Sequence, residues 1–169
     1  MKPCRVPKSL KVGSKLYSFS ACSYDDDTSS VIAHEWHVRS IQNRSTWINI
    51  GGTQILNHAR KAMFVFMASK KKGLTWVNGN WAKYIPKDYS KKFELIDFLP
   101  EGVYTTELQA IKFAVQKWEA NISWYENLIS SLVSAKEIRE YEEELSFTKK
   151  ELKLLKSRKT RVQNTKKAA

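Results

Sequence analysis

Cysteine is nearly missing from this sequence. Cys4 and Cys22 alone cannot make a disulfide framework or a four-cysteine zinc site, so two reduced thiols are expected. Long apolar runs are missing too. Stretches such as Ala62–Ala68 fall far short of the roughly 20 residues that cross a bilayer as a helix. The N-terminal MKPCRVPKSLKVGSK is positively charged but lacks the apolar stretch of a signal peptide. A cytoplasmic protein with no membrane partner is expected, and the sequons at Asn43 and Asn121 predict no glycan. Proline and glycine vanish after residue 102: all four prolines lie at or before Pro100, and of six glycines only Gly102 follows it. Acidic residues are the minority, 17 against 29 Lys and Arg, which gives the 169-residue chain a net charge of +12 and a pI near 9.7. That balance favours an anionic partner.

Catalytic patterns are equally sparse. His34-Glu35-Trp36-His37 lacks the two residues that separate Glu from the second His in the helical zinc-protease motif. On a strand, residues three apart point to opposite faces, so one metal cannot take both histidines. His58 is the only other histidine. Asp25, Asp26 and Asp27 offer oxygen ligands for a divalent cation, but beside Thr28, Ser29 and Ser30 they read first as a solvated turn. Gly51-Gly52 stands alone and fits neither the P-loop nor the dinucleotide fingerprint. No base or oxyanion site marks a Ser or Cys nucleophile. A non-enzyme without cofactor or metal is expected, and a small nuclease using the acidic turn and histidines is the least favoured reading.

The aromatic content is high, with six Trp, seven Tyr and seven Phe, which a disordered chain would lack. Up to Pro100 the chain reads as short strands. These are Leu16–Ser23, Val31–Gln42, Thr46–Ile50 ending at Gly51-Gly52, Ala62–Ala68, the segment around Asn78-Gly79, and Phe93–Leu99. Within Val31–Gln42 the inward set is either Ile32, His34, Trp36 and Val38 or Val31, Ala33, His37 and Ile41, with a bulge able to mix them. Ala62–Ala68 is continuously apolar and is expected to be central and buried on both faces. Asn78-Gly79, between Trp76-Val77 and Trp81, predicts a tight hairpin. The expected fold is α+β: a small SH3-like β-barrel over 1–100, a helical hairpin or coiled coil over 101–157, and a basic flexible tail over 158–169.

The helical part is periodic. Leu108, Ile111, Val115, Trp118, Ile122, Tyr125, Ile129 and Leu132 alternate spacings of three and four, an uninterrupted heptad stripe. Thr105 or Thr106 can cap it, and Glu107 sits where the helix dipole favours a carboxylate. Ile138, Tyr141, Leu145, Leu152 and Leu155 form a second stripe with Thr148 filling one core position. The six-residue step from Leu132 to Ile138 breaks the register. It signals either an antiparallel hairpin, which is favoured, or one long helix with a slip. The stripe is also a possible surface for a homo-oligomer.

Charge is segmented. Residues 1–100 hold sixteen Lys and Arg against seven Asp and Glu, residues 101–148 four against nine, and residues 149–169 nine against one. Lys70–Phe93 interleaves basic and aromatic residues. Lys70, Lys71, Lys72, Lys83, Lys87, Lys91 and Lys92 can reach phosphates, and Trp76, Trp81, Tyr84 and Tyr89 can stack on bases. The competing reading puts Trp76 and Trp81 in the core, slightly favoured over stacking, with the lysines solvating the rim. The tail supplies a second basic set, Lys149, Lys150, Lys153, Lys156, Arg158, Lys159 and Arg161, which is either a polyanion grip or a solubilising end.

KVGSKLYSF, VIAHEWHVRSI and VYTTELQAIKFAVQKWEANI, with Thr105, Glu107 and Ala110 at the helix start, resemble the small accessory and host-takeover proteins of tailed phages, which pair a compact β domain with a helical C-terminus. The resemblance implies no catalytic residues. Two functions are expected in order: non-enzymatic, largely sequence-independent binding of DNA or RNA, then a phage-type module that inhibits or redirects a host protein complex in the host cytoplasm.

Overall fold

The computed structural model describes residues 2–167. Met1 and residues 168–169, the ends of the expected barrel and tail, lie outside the described residues, as do the side chains of Ile48, Ile50, Lys166 and Lys167. The chain is α+β: a four-stranded antiparallel sheet, followed by two C-terminal helices. The strands are β1 (Lys15–Ser23), β2 (Ser29–Ile50), β3 (Thr53–Ser69), the short pair β4 (Trp76–Val77) and β5 (Asn80–Trp81), and β6 (Ser90–Glu94). The helices are α1 (Glu107–Ser131) and α2 (Ala135–Lys167). The sheet order is β1-β2-β3-β6, and among the described residues no pairing joins β1 to β6. The SH3-like closure expected from the sequence is therefore not observed; the two outer strands remain edges. None of the described helices is long and apolar enough to cross a membrane.

Two strands expected from the sequence, Val31–Gln42 and Thr46–Ile50, are one 22-residue strand. Asn43, Arg44 and Ser45, the gap between those two expected strands, each pair with β3, opposite Met63, Ala62 and Lys61. The register then jumps from Ser45↔Lys61 to Thr46↔Asn57, leaving His58, Ala59 and Arg60 as an extra loop in β3. The Asn57 side chain folds that loop by accepting from the Ala59 and Arg60 amides, and the Thr46 hydroxyl donates to the Arg60 carbonyl. Gly51-Gly52 is the two-residue turn that joins β2 to β3. Both residues have positive φ, as a hairpin turn matched to the strand twist requires. Asn78-Gly79 does the same between β4 and β5 at φ of 50° and 80°, so Trp76 pairs with Trp81.

The described residues divide into two compact units, residues 2–16 with 34–105, and residues 17–33 with 106–167; β1 and β2 contribute to both. The sheet unit buries Leu16, Trp36, Val38, Val65, Met67, Leu99 and Val103, with Cys4, Val6, Leu10, Ile41, Phe93 and Leu95 packed against them. A register shift between Val38 and Ser40 passes the inward parity of β2 from Trp36 and Val38 to Ile41, because the inserted Arg39 flips the alternation. The N-terminal segment is held by the Val6 amide on the Asp97 carbonyl and the Leu99 amide on the Cys4 carbonyl.

In the helical unit, Thr106 caps α1: its hydroxyl accepts from the Gln109 amide at 3.3 Å. The helix ends without proline or glycine. Leu132 turns extended, and the Ser130 and Ser131 hydroxyls donate to the carbonyls of Asn127 and Leu128. α2 returns antiparallel, as the pairs Glu107–Arg158, Glu119–Lys156 and Glu126–Lys149 run in opposite chain order. Ala110, Ile111, Ala114, Val115, Thr148, Leu152, Leu155 and Val162 are buried, together with Phe19 of β1. α2 continues through residues 158–167, where the sequence suggested a flexible tail, and Val162 shows why: it extends the buried stripe by one heptad from Leu155.

Candidate nucleic-acid interface

The excess charge follows the structural units. The sheet unit holds sixteen Lys and Arg against five Asp and Glu, net +11, whereas the helical unit holds thirteen against twelve, net +1. The tail is not a separate basic feature. Lys149 lies 3.0 Å from Glu126, Lys150 3.4 Å from Asp27, Lys156 2.9 Å from Glu119 and Arg158 3.1 Å from Glu107. These exposed pairs add little stability, but they bring carboxylates beside four of the seven tail cations proposed for phosphates. No ion pair involves Lys153, Lys159 or Arg161 among the described residues.

The basic-aromatic segment forms a cluster outside the core. Trp76 and Trp81 stand edge to face at 5.3 Å, both half-buried, so neither joins the hydrophobic core of the sheet unit. Thr75, fully buried, anchors their hairpin: its hydroxyl donates to the Ser69 carbonyl and accepts from the Lys71 amide, both at 2.7 Å. The Lys70 ammonium lies 3.7 Å above the Trp76 ring, and the Arg39 guanidinium 4.9 Å above Trp81. Each ring thus carries a cation on one face, held by its quadrupole. Lys71, Lys72, Lys83, Lys87, Lys91 and Lys92 are exposed, and Tyr84, at 77% exposure, is the most open aromatic ring in the cluster. Tyr89 packs edge-on against His34.

A second set of residues carries no basic-aromatic signature in the sequence. On β3, Val65 and Met67 face the core, so Phe64 and Phe66 lie on the outer face, half-exposed rather than buried. Across the ladder, Ser40 and Lys92 flank Phe66, and Gln42 and Glu94 flank Phe64. The Lys92 ammonium is 4.1 Å from the Phe64 ring centre, and the Arg44 guanidinium 4.7 Å from that of Phe66. Arg44 is aimed by a polar ladder along β2: its Nε donates to Gln42 Oε1 at 2.8 Å, and Gln42 Nε2 donates to Ser40 Oγ at 3.1 Å. Beside Phe66 runs an open groove of about 370 Å³ lined by Arg39, Phe66, Ile85, Ser90, Lys91 and Lys92 among others, with no carboxylate in its lining.

The histidines act as packing groups. His34 stacks on Trp36 at 4.6 Å, and His37 meets Trp81 edge-on at 5.7 Å with its Nε2 2.9 Å from Glu35. Burial depresses the pKa of both below 6.5; Lys91 adds to this at His34, while Glu35 partly opposes it at His37. At Glu35 burial is the largest single influence and acts to raise the carboxyl, but Lys15 at 2.9 Å and His37 together outweigh it and the net direction is down. Although the Lys91 side chain as a whole is exposed, its ammonium, 5.1 Å from the Trp36 ring centre, is partly desolvated, and this lowers its pKa. A folded histidine that resists protonation leaves the unfolded chain binding more protons below 6.5. Stability should therefore be flat above that value and fall as pH drops from 6.5 toward the lowered folded values. Melting temperature measured across this range checks it, and His34→Gln or His37→Gln should flatten the decline.

The remaining candidates are local structure. Asp26 accepts from the Thr28 hydroxyl and amide, which lowers its pKa, and Asp27 pairs with Lys150, so the acidic turn is held by its own neighbours and α2. No group of three or more His, Cys, Asp or Glu suited to a metal occurs among the described residues. Of the helix stripe, Ile111 and Val115 are buried, and Leu108, Trp118, Ile122, Tyr125, Ile129 and Leu132 are half-buried. Trp118 Nε1 donates to Glu151 at 2.7 Å, and Glu151 also accepts from the Ser23 hydroxyl. The sequence matches no protein-family model and no curated protein, and the fold matches no solved structure. The functional reading therefore rests on the site's own geometry and charge.

Proposed function

We propose that this protein binds nucleic acid without catalysis and with little sequence preference, through the outer face of its sheet unit. The observation that carries the reading is the +11 charge of that unit against +1 for the helical unit. Lys70, Lys71, Lys72, Lys83, Lys87 and Lys92 neutralise phosphates and release counterions, which supplies affinity without reading bases. Trp76, Trp81 and Tyr84 add stacking surface. The tail cations contribute less than their number suggests, because four of them already lie beside carboxylates.

The test is binding to random-sequence DNA and RNA across a salt series. Log affinity should fall linearly with log salt, by close to one unit of slope per neutralised phosphate. Replacing Lys70, Lys71 and Lys72 by Gln should flatten that slope by about one to three units while leaving the fold intact, since all three side chains are exposed. Absence of salt-sensitive binding by the wild type would sink the proposal. A phage-type interaction module acting on a host complex would then take its place. The observation favouring that second reading is that the helix pair exposes Trp124 and, in the turn between its helices, the 97% exposed Val133, while α2 carries the exposed acidic run Glu142, Glu143 and Glu144.

A further inference from the structure

We infer that the outer face carrying Phe64 and Phe66, with the groove that Phe66 lines, takes the unpaired bases of single-stranded nucleic acid rather than duplex; the inference rests on the nucleic-acid reading above and narrows its substrate. Phe64 and Phe66 are two residues apart on one face of β3, which sets their backbone positions about 6.7 Å apart. Consecutive bases along one strand of a duplex rise by about 3.4 Å. Two rings at twice that spacing cannot each meet the face of a neighbouring base in a stacked helix. They fit successive bases only when the strand is drawn out and its stack opened. A duplex moreover keeps its base faces inside its own stack, so an aromatic ring on a sheet can use only bases that are already unpaired.

The cations are placed for the same ligand. Arg44 lies over one face of Phe66 and Lys92 over one face of Phe64, so each ring holds a cation on one side, within reach of the phosphates of a base that takes its other side. The ladder from Arg44 through Gln42 to Ser40 fixes the guanidinium before any ligand arrives and presents amide and hydroxyl groups beside the rings. Arg39 and Lys91 extend the positive lining along the groove. Glu94, opposite Phe64, bounds the basic face at its other end. Ser40 and Gln42 can meet the edge of any base, consistent with tolerance of sequence.

The experiment compares a labelled DNA strand of about 12 nucleotides, its RNA counterpart and the same DNA annealed to its complement, all at one salt concentration, by fluorescence anisotropy. Either single strand should bind at least about tenfold more tightly than the duplex. Phe64→Leu and Phe66→Leu keep apolar volume and remove the π-face, so folding survives while single-strand affinity falls roughly five- to a hundredfold per ring and duplex affinity stays unchanged. Equal binding of strand and duplex overturns this inference but leaves the nucleic-acid reading standing. A single-strand preference that both Leu variants retain also overturns it, since stacking then occurs elsewhere. No binding to any of the three probes removes the inference and the nucleic-acid reading together.

Discussion

Trp36→Ala should lower the stability of the sheet unit by about 3–5 kcal/mol, the range for removing a large ring from a packed core. Trp36 is 1% exposed and packs within the cluster of Leu16, Val38, Val65, Met67, Leu99 and Val103. His34 stacks on one side of its ring, and the Lys91 ammonium lies 5.1 Å from its centre. Alanine leaves a cavity that these neighbours, drawn from β1, β2, β3 and the segment after β6, cannot close without moving the sheet. With a urea dependence of about 2 kcal/mol per molar, the unfolding midpoint should fall by roughly 2 M. Trp36→Phe keeps a ring in place and should cost less than half as much. A midpoint unchanged in the alanine variant would show that Trp36 is not part of a core in solution.

The helices were legible in the sequence because their signal is redundant. Eight apolar positions from Leu108 to Leu132 repeat one spacing, and no proline or glycine interrupts them. The break before α2 was legible only as a slip in register, since Leu132 ends α1 through its own extended backbone and serine hydroxyls satisfy the last carbonyls. Ala110 and Ala114, both buried, lie outside that stripe, because small residues add little to a hydrophobic periodicity. The strands were harder. Asn43-Arg44-Ser45 has turn chemistry, but pairing with β3 overrides local preference, and the length of β2 follows from a partner many residues away.

The candidate site was half legible. The lysines and tryptophans of 70–92 announce themselves by alternating in sequence. Phe64 and Phe66 do not, because Ala62–Ala68 is apolar at every position and carries no period-two signal; only the topology says which face is covered. Arg39 is a similar case. Its place above Trp81 depends on the bulge that shifts β2 by one residue. The tail shows the opposite failure. Its nine cations read as an unbalanced cluster, yet the carboxylates that meet four of them lie in the β1–β2 turn and α1, at separations such as 51 residues for Glu107 and Arg158. Charge counted along the chain therefore overstates what the tail can offer a polyanion, and charge counted by unit assigns the excess to the sheet.

The helix pair yields the second large effect, and it separates a buried stripe from a merely apolar one. Leu155 is fully buried, whereas its neighbour Leu154 is 37% exposed. One residue of helix is a rotation of about 100°, enough to carry a side chain from the packed stripe toward solvent. Leu155→Ala removes a fully buried side chain from the packed helix pair, whose other buried residues include Ile111, Val115 and Leu152, and leaves a void there. The expected cost is about 2–5 kcal/mol. For a chain of this size each kcal/mol moves the melting temperature by roughly 2–4 °C, so helical signal should be lost about 4–20 °C earlier. Leu154→Ala deletes the same atoms where they are partly hydrated, and alanine favours the helix, so its effect should stay within about 1 kcal/mol. Thermal melts of the two variants followed by helical circular dichroism decide the point. Equal losses would mean that α2 is rotated from the orientation described, and with it the ion pairs that set the helical unit close to neutral.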